Sequence, residues 1–140
     1  MLIRLIYASR TAGVLTPMDV KDIVRRSQRN NAKLGVTGML MLSNGIFLQC
    51  LEGDHMAVNM LYHRIMLDAR HREPAVLGYT EIDQRLYGAW AMGLVTTTEA
   101  NQQVFLKYSL QAEFDPFQIR PRALEMLFAE MVEHARQVPG

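Results

Sequence analysis

The stretch MLMLSNGIFLQCLEG, residues 39–53, decides the fold of this chain. Two apolar runs flank the dipeptide Asn44-Gly45, which is the strongest short-range indication of a two-residue β-hairpin turn, because both residue types tolerate a positive φ. Side chains alternate between the two faces of a strand, so Gln49 shares a face with apolar neighbours while Cys50 points the other way. The sequence therefore predicts an antiparallel hairpin with a carboxamide in the middle of an apolar face.

Helices and further strands are predicted on both sides of this hairpin from the spacing of apolar residues. Thr16 and Pro17 are residue types preferred at a helix N-cap and first turn, so a helix begins there and runs to about residue 32. The order of elements predicts the α+β class: a ferredoxin-like sandwich, βαββαββ, with both internal helices on one sheet face, followed by two C-terminal helices. The other predicted elements are strands at 3–9, 75–82 and 89–96, a helix at about 55–69, and amphipathic helices within 96–111 and 120–137.

Composition and charge exclude several classes of function. The 140 residues suffice for one domain, and a net charge of +1 gives no electrostatic attraction for nucleic acid. The sequence contains no signal peptide and no run of about 18 apolar residues, and its single cysteine cannot form an internal disulfide. Its four histidines lack the spacing of a zinc site, so no metal is predicted. We expect a soluble, cytoplasmic protein without membrane or nucleic-acid partners.

Three polar side chains are predicted to point into the apolar interior. Alternation places Tyr7 among apolar neighbours on the first strand, helical spacing turns Asn31 inward, and Gln49 lies on the hairpin. A buried polar group without a partner costs roughly 1 to 3 kcal/mol, so all three groups must be bonded. Two interpretations stay open at this point. The side chains bond one another, the backbone or water, or they bind the edge of a planar heterocycle that carries carbonyl and ring-nitrogen groups.

Four separated segments carry a more specific pattern. They are LIRLIYAS (2–9), NAKLGVTGMLMLSNGIFLQCLEG (31–53), DARH (68–71) and RLYGAWAM (85–92). With these segments in this order, the chain resembles the BLUF family of flavin-binding blue-light sensor domains. The resemblance implies a ferredoxin-like fold that binds FAD non-covalently between the two internal helices. It also implies a flavin-binding domain over residues 1–97 and a helical extension, packed on the sheet, over residues 98–140.

The same resemblance implies roles for individual residues. Tyr7 and Gln49 are expected to face the edge of the flavin's isoalloxazine ring. Asn31 is expected to bond the pyrimidine part of that ring, and Asn30 to flank it. The other implied photoactive residues are Ser9, Trp90 and Met92, and the other implied cofactor-binding residues are Arg64, Asp68, Arg70 and His71.

The resemblance further implies how light acts. In the mechanism proposed for the family, excitation of the flavin draws an electron and then a proton from Tyr7. The returning charge leaves Gln49 rotated or tautomerised and shifts the flavin absorption slightly to the red. The changed bond then biases the last strand through Trp90 or Met92, and the sequence does not decide which of them faces inward. We expect a short, stand-alone photoreceptor that is not itself an enzyme, forms a homodimer and signals through a separate, unknown protein partner.

Other interpretations are weighed against this one. A cysteinyl adduct with the flavin is disfavoured because Cys50 faces away from Gln49. An enzyme is disfavoured because the sequence has neither an anion-binding glycine loop with an adjacent arginine nor a Ser/His/Asp set. The alternative function is a non-photoactive, small ligand-binding or assembly module of ferredoxin-like fold. The C-terminal helices cover the sheet face left bare by the internal helices, transmit the signal, form a dimer interface, or combine these roles.

Overall fold

A six-stranded sheet with helices on both faces forms the protein. The computed structural model describes residues 1–86, 91–96, 99–109, 114–132 and 136–137. Its elements are β1 (Leu2–Thr11), α1 (Pro17–Leu34), β2 (Thr37–Ser43), β3 (Ile46–Asp54), α2 (His55–Met66), β4 (His71–Glu81), β5 (Gly93–Thr96), α3 (Glu99–Tyr108), α4 (Pro121–Met131) and β6 (Arg136–Gln137), with a short 3-10 turn at Pro116–Gln118.

The strand order is β4-β1-β3-β2-β5-β6, which contains the predicted ferredoxin-like arrangement. β1 lies between β3 and β4 and pairs antiparallel with both, while β2 pairs antiparallel with β3. β5 pairs in parallel with β2, and β6 pairs antiparallel with β5. β1 and β3 are therefore neighbouring, central strands, as the sequence predicted.

Several predicted boundaries are wrong, among them the start of the strand expected at 89–96, since β5 begins at Gly93, and the end of the helix expected at about 55–69, since α2 ends at Met66. Strand pairing explains two others. The fourth strand was expected to begin near residue 75, but β4 begins at His71 because β1 is long enough to pair with it as far as Thr11. The last helix was expected to reach residue 137, but α4 ends at Met131 and Arg136–Gln137 form β6. The backbone groups of β6 pair with the outer edge of β5, which would otherwise be left uncovered.

The hairpin turn has the geometry that its sequence predicts. Asn44 and Gly45 have φ angles of 53° and 70°, and Ser43 pairs with Ile46 directly across the turn. Positive φ at both central residues is the requirement of a type I′ turn, whose twist matches that of the two strands. The register of β2 against β3, and hence the direction of every side chain on β3, is fixed here.

The predicted start of α1 is also confirmed. The Thr16 hydroxyl accepts the backbone N–H of Asp19 at 3.1 Å, and the Asp19 carboxylate accepts the backbone N–H of Thr16 at 2.9 Å. This reciprocal capping box satisfies backbone donors that the first helical turn leaves unpaired. The helix ends at Gly35, whose φ of 66° suits a glycine C-cap.

The sheet has a buried core on each face. α1 and α2 cover the face that carries Tyr7 and Gln49. The other face, which carries Cys50, packs against α3, α4 and the segment between them. The residues of this C-terminal part that belong to the second core are Phe105, Phe114, Ile119, Leu124, Leu127, Phe128 and Met131. The predicted alternation along β3 is therefore confirmed, with Gln49 and Cys50 on opposite faces.

Replacing Gly45 by alanine should lower the free energy of unfolding by about 1 kcal/mol, because a Cβ atom is strained at this positive φ. The nearest atom to the added Cβ is Thr11 Oγ1 at 3.5 Å, so the substitution tests strain without a clash. Gly78→Ala is the matched control, since its φ is not positive and its nearest contact is 3.8 Å. Urea denaturation should find only the first variant destabilised, and equal effects would contradict the turn assignment.

Candidate functional site

A cleft of about 410 Å³ opens between α1 and α2, over the face of the sheet that carries Gln49. Ile23 of α1 and Leu61 and Ile65 of α2 give it apolar sides. Tyr7 and Gln49 reach it from β1 and β3, where they are directly paired across the two strands. The cleft therefore has apolar walls contributed by helices and a polar floor contributed by the sheet.

The Gln49 carboxamide is bonded at both of its ends. The Tyr7 hydroxyl donates to Gln49 Oε1, and Gln49 Nε2 donates to the Met92 sulfur at 3.6 Å. All three side chains are buried, with exposed fractions of 0% for Tyr7, 3% for Gln49 and 0% for Met92. Met92 is thus the inward-facing residue next to Gln49, whereas Trp90 lies outside the residues that the structure describes.

Burial keeps the Tyr7 phenol in its neutral form. It raises the pKa of Tyr7 far above its usual range, because the phenolate would lie in an apolar interior. Tyr7 carries its proton at neutral pH, and in this structure it donates that proton to the hydrogen bond with the amide. Gln49 presents its oxygen to Tyr7 and its nitrogen to Met92, and these two ends are chemically opposite.

The two adjacent asparagines of α1 occupy different positions. Asn30 lines the cleft. Asn31 points inward as predicted, is 1% exposed, and its Nδ2 donates to the backbone oxygen of Ala91 at 2.7 Å. Asn31 thus ties α1 to the residue that precedes Met92, and it is not among the residues that line the cleft.

Ser9 and His71 form a second polar contact next to the cleft. Ser9 Oγ lies 2.7 Å from His71 Nδ1, and the imidazole packs against the Phe47 ring with centroids 4.5 Å apart. Burial lowers the pKa of His71, an effect that the nearby Asp68 carboxylate partly opposes. Neutral His71 lines the cleft, whereas Ser9 is fully buried behind it.

Charged side chains surround the more exposed part of the cleft. Arg70 donates to both oxygens of Asp68, with a shortest distance of 2.7 Å, and also reaches Asp22 of α1 at 3.2 Å. The Arg70 hydrogen bonds lower the pKa of Asp68 to about 2. Arg26 and Arg64 line the cleft as well, and among the described residues Arg64 makes no ion pair. Cationic groups are therefore available for an anionic part of a ligand.

A planar heterocycle with polar edges fits this combination of residues. Its faces would lie between the aliphatic side chains of the two helices, and its edge would meet the amides and the phenol at the sheet. The residues predicted from the sequence that line the cleft are Tyr7, Asn30, Gln49, Arg64, Asp68, Arg70 and His71. Of the other predicted residues, Ser9, Asn31 and Met92 lie directly behind them through the contacts given above.

Sequence reasoning missed two kinds of site residue. Arg26 and Ser27 line the cleft. Both lie three or four residues from Ile23 and Asn30, a helical spacing that puts them on the same face of α1. No role in the site was predicted for Tyr62 of α2, yet its ring stands edge-on to Tyr7 with centroids 5.3 Å apart. No spacing rule predicts that contact, because the two residues lie on different elements.

Fold and site together define a small ferredoxin-like domain with a cleft over a buried tyrosine–glutamine pair. The profile of one protein family, BLUF, described as sensors of blue light using FAD, matches residues 2–93. The chain therefore belongs to the BLUF family, as its motifs indicated. Its function is to sense blue light with a bound flavin.

Known proteins support this assignment along the whole chain. The photoactivated adenylate cyclase subunit beta of Euglena longa is 34% identical over 118 residues, which is 84% of this chain but only 12% of that relative. The structure of BlsA in its photo-activated state has a TM-score of 0.88 at 27% identity and covers 100% of both chains. The dark-state structure of BlrB, a BLUF protein, has a TM-score of 0.82 at 26% identity and covers 95% of this chain and 96% of that one. The predicted ferredoxin-like fold is thereby confirmed.

The described residues contain neither a candidate membrane span nor a candidate metal-binding cluster. No described helix is both long and apolar enough to cross a membrane. Within the same residues, no group of three or more histidine, cysteine or carboxylate side chains is placed to hold a metal ion.

His71 should make the stability of the protein depend on pH. The pKa of His71 is lowered in the folded state, so the unfolded chain binds the proton more tightly. The contribution of neutral His71 to the free energy of unfolding is fully present above the unfolded pKa of about 6.5 and is lost as the pH falls below that value. Between pH 7.5 and 5.5, urea denaturation should show a larger loss of stability for the wild type than for His71→Asn, which does not titrate. An equal loss in both proteins would contradict the assignment.

Proposed function

We propose that this domain senses light by reorienting the Gln49 carboxamide beside a bound FAD. One observation carries the proposal. The amide is buried in the cleft and is bonded at its oxygen end by Tyr7 and at its nitrogen end by Met92. A half-turn of this amide exchanges a donor for an acceptor at two positions, with almost no change in shape.

The residues that would hold the flavin follow from the cleft. Gln49 and Asn30 supply amide groups at its sides and floor, and Asn31 and His71 support this polar end through Ala91 and Ser9. Arg64 and Arg70 would bind the phosphate-bearing part, with Asp68 holding Arg70 in place. FAD is favoured because the family is described as using it, and the extra phosphate of FAD suits these cations.

Tyr7 and Gln49 would carry out the photoreaction. When bound, a flavin supplies the absorption of blue light and an electron-accepting ring in its excited state. Because the pKa of Tyr7 is far above neutrality, its phenol holds the proton until an electron is lost. Gln49 Oε1 is the acceptor already bonded to that O–H group, so it is placed to receive the proton. Return of the electron and the proton to Tyr7 would then restore the phenol, and the Gln49 amide beside it could settle in either orientation.

The reoriented amide would present different groups to both neighbours. Gln49 would turn its nitrogen towards the Tyr7 oxygen and its oxygen towards the Met92 sulfur, which cannot donate a hydrogen bond. The contact at 3.6 Å between Gln49 and Met92 would then be lost. Met92 directly precedes β5, so the change would reach this strand. Trp90 is proposed to take part as well.

The output of this domain is proposed to pass to a separate protein. The relative in Euglena longa is a subunit of a photoactivated adenylate cyclase, and the aligned part is 12% of its length. Residues 1–97 would act as the flavin-binding unit and residues 98–140 as a helical extension, in a cytoplasmic homodimer that has no enzymatic activity of its own. The close packing of α3 and α4 on β1, β2 and β3 supports a part for the helical extension in passing on the signal, because a change in the sheet would act directly on the core that these helices share with it.

An absorption spectrum before and after blue illumination tests the proposal. The purified protein should carry FAD, identified by chromatography after release with acid, and its visible band should shift slightly to the red in the light and recover in the dark. Gln49→Leu and Tyr7→Phe should both keep the flavin and lose the shift, because each removes one partner of the same hydrogen bond.

Cys50→Ala is the matched control for this experiment. Cys50 lies on the opposite sheet face from Gln49 and belongs to the other core, so its removal should leave the red shift intact. Bleaching of the blue band that depends on Cys50 would instead indicate a covalent adduct. A protein that is colourless after expression in flavin-rich cells, or variants of Gln49 that keep the full shift, would overturn the proposed switch.

A further inference from the structure

Glu52 is a buried carboxylate that the proposed photoreaction does not use. It lies on β3 three residues beyond Gln49, on the opposite face, and its side chain is 0% exposed. Its Oε2 accepts from Nε of Arg4 at 2.8 Å and forms an ion pair with Nη2 of Arg4, also at 2.8 Å. Its Oε1 accepts from the backbone N–H of Leu86, also at 2.8 Å.

Stability alone does not account for this arrangement. The cost of removing a carboxylate and a guanidinium from water is of the same order as their mutual attraction, so a buried ion pair gives little net stability over well-packed neutral side chains. The better-supported use of such a pair is to select one arrangement of the chain. The Leu86 N–H is the part of this arrangement that lies outside the sheet.

Leu86 belongs to the connection between β4 and β5, which leads from the edge of the sheet formed by β4 to the strand beyond β2. β4 is the edge strand beside β1, whereas β5 lies beyond β2, so the connection has to cross the strands between them. Glu52 holds this connection at Leu86, and Arg85 adds a bond to Thr37 Oγ1 at 3.1 Å. Both contacts lie where β3 ends and β2 begins.

The far end of the same connection is the residue that contacts Gln49. Asn31 holds the backbone oxygen of Ala91 at 2.7 Å, and Met92 follows with its sulfur at the Gln49 amide. Two polar side chains therefore hold described residues of this connection: Glu52 binds Leu86, and Asn31 binds Ala91. Both ends of this segment contact β3. Glu52 of that strand binds Leu86, and Gln49 of the same strand binds Met92.

We propose that Glu52 is a positioning residue: by binding the Leu86 N–H, it holds the connection so that the Met92 sulfur meets the Gln49 amide in the dark. This inference rests on the proposed function for its photochemical consequence, but the position of Met92 is a property of the chain itself. The same carboxylate also links the site to the C-terminal layer, because its partner Arg4 donates to Glu125 of α4 at 3.2 Å.

Substitutions at Glu52 separate positioning from stability. Glu52→Leu removes both the ion pair and the acceptor for Leu86. Glu52→Gln keeps a carbonyl oxygen for the Leu86 N–H and loses the charge. The double variant Arg4→Leu/Glu52→Gln replaces the ion pair and still keeps that carbonyl, so it serves as the control matched for lost stability. Leu86→Pro removes the N–H donor itself and leaves Glu52 bonded to Arg4, which keeps the test available even if Glu52→Leu does not fold.

Two readouts distinguish the outcomes. The first is the ε-methyl NMR signal of Met92 in flavin-bound protein labelled at its methionine methyl groups, kept in the dark and assigned with Met92→Leu. The signal should move or broaden in Glu52→Leu and Leu86→Pro and stay in place in Glu52→Gln and the double variant. The second is the rate of dark recovery, which should slow about fivefold in Glu52→Leu and Leu86→Pro and stay unchanged in the other two variants. A fivefold change in rate corresponds to the loss of about one net hydrogen bond.

An unchanged Met92 signal in Glu52→Leu or Leu86→Pro would overturn the inference. So would a recovery rate that follows thermal stability, with the double variant as slow as Glu52→Leu. Failure of the proposed function is recognised separately, because the wild type would then show no light-induced shift while the Met92 signal still reports whether Glu52 positions the connection.

Discussion

The contact between the Tyr7 phenol and the Gln49 carboxamide is the interaction on which the rest of the structure depends. The two residues are directly paired on β1 and β3, so the antiparallel register that builds the sheet also brings the donor to the acceptor. Placing two polar groups in an apolar core is favourable only if every hydrogen-bonding end is satisfied. Met92 provides for the nitrogen end, and the cleft leaves room for a planar ligand beside the pair.

Short-range patterns in the sequence predicted much of this arrangement. The Asn44-Gly45 turn fixed the hairpin, alternation fixed the face of Gln49, and the Thr16 cap fixed the start of α1, because each depends on residues within a few positions of one another. The motifs added the family, and with it half of the described residues that line the cleft.

Contacts between distant segments were beyond the reach of these patterns. The parallel pairing of β5 with β2, the short strand β6 and the inward position of Met92 all depend on how the connection after β4 crosses the sheet. The pairing of Glu52 with Arg4 and Leu86 was missed for the same reason, since a glutamate in an apolar strand has no local sign of its partners. A spacing rule shows which face a residue occupies, but not what lies against it.

Charged groups on the two faces of the sheet differ in their exposure to solvent. The cluster of Asp22, Asp68 and Arg70 is partly exposed and borders the cleft, where its charges remain available to a ligand. Glu52 and Arg4 are enclosed on the other face, where their hydrogen bonds act only on the protein. The charges that border the cleft are thus separate from those whose hydrogen bonds lie within the protein.

Deep burial of the Tyr7 phenol also shields the sensor from its chemical environment. A surface tyrosine begins to lose its proton in mildly alkaline medium, and its hydrogen bonds then reverse direction. Tyr7 keeps its proton throughout the acidity range in which cells live, because burial raises its pKa far above the usual value. The hydrogen bond from the phenol to the amide therefore keeps its donor in alkaline medium that would begin to ionise an exposed tyrosine.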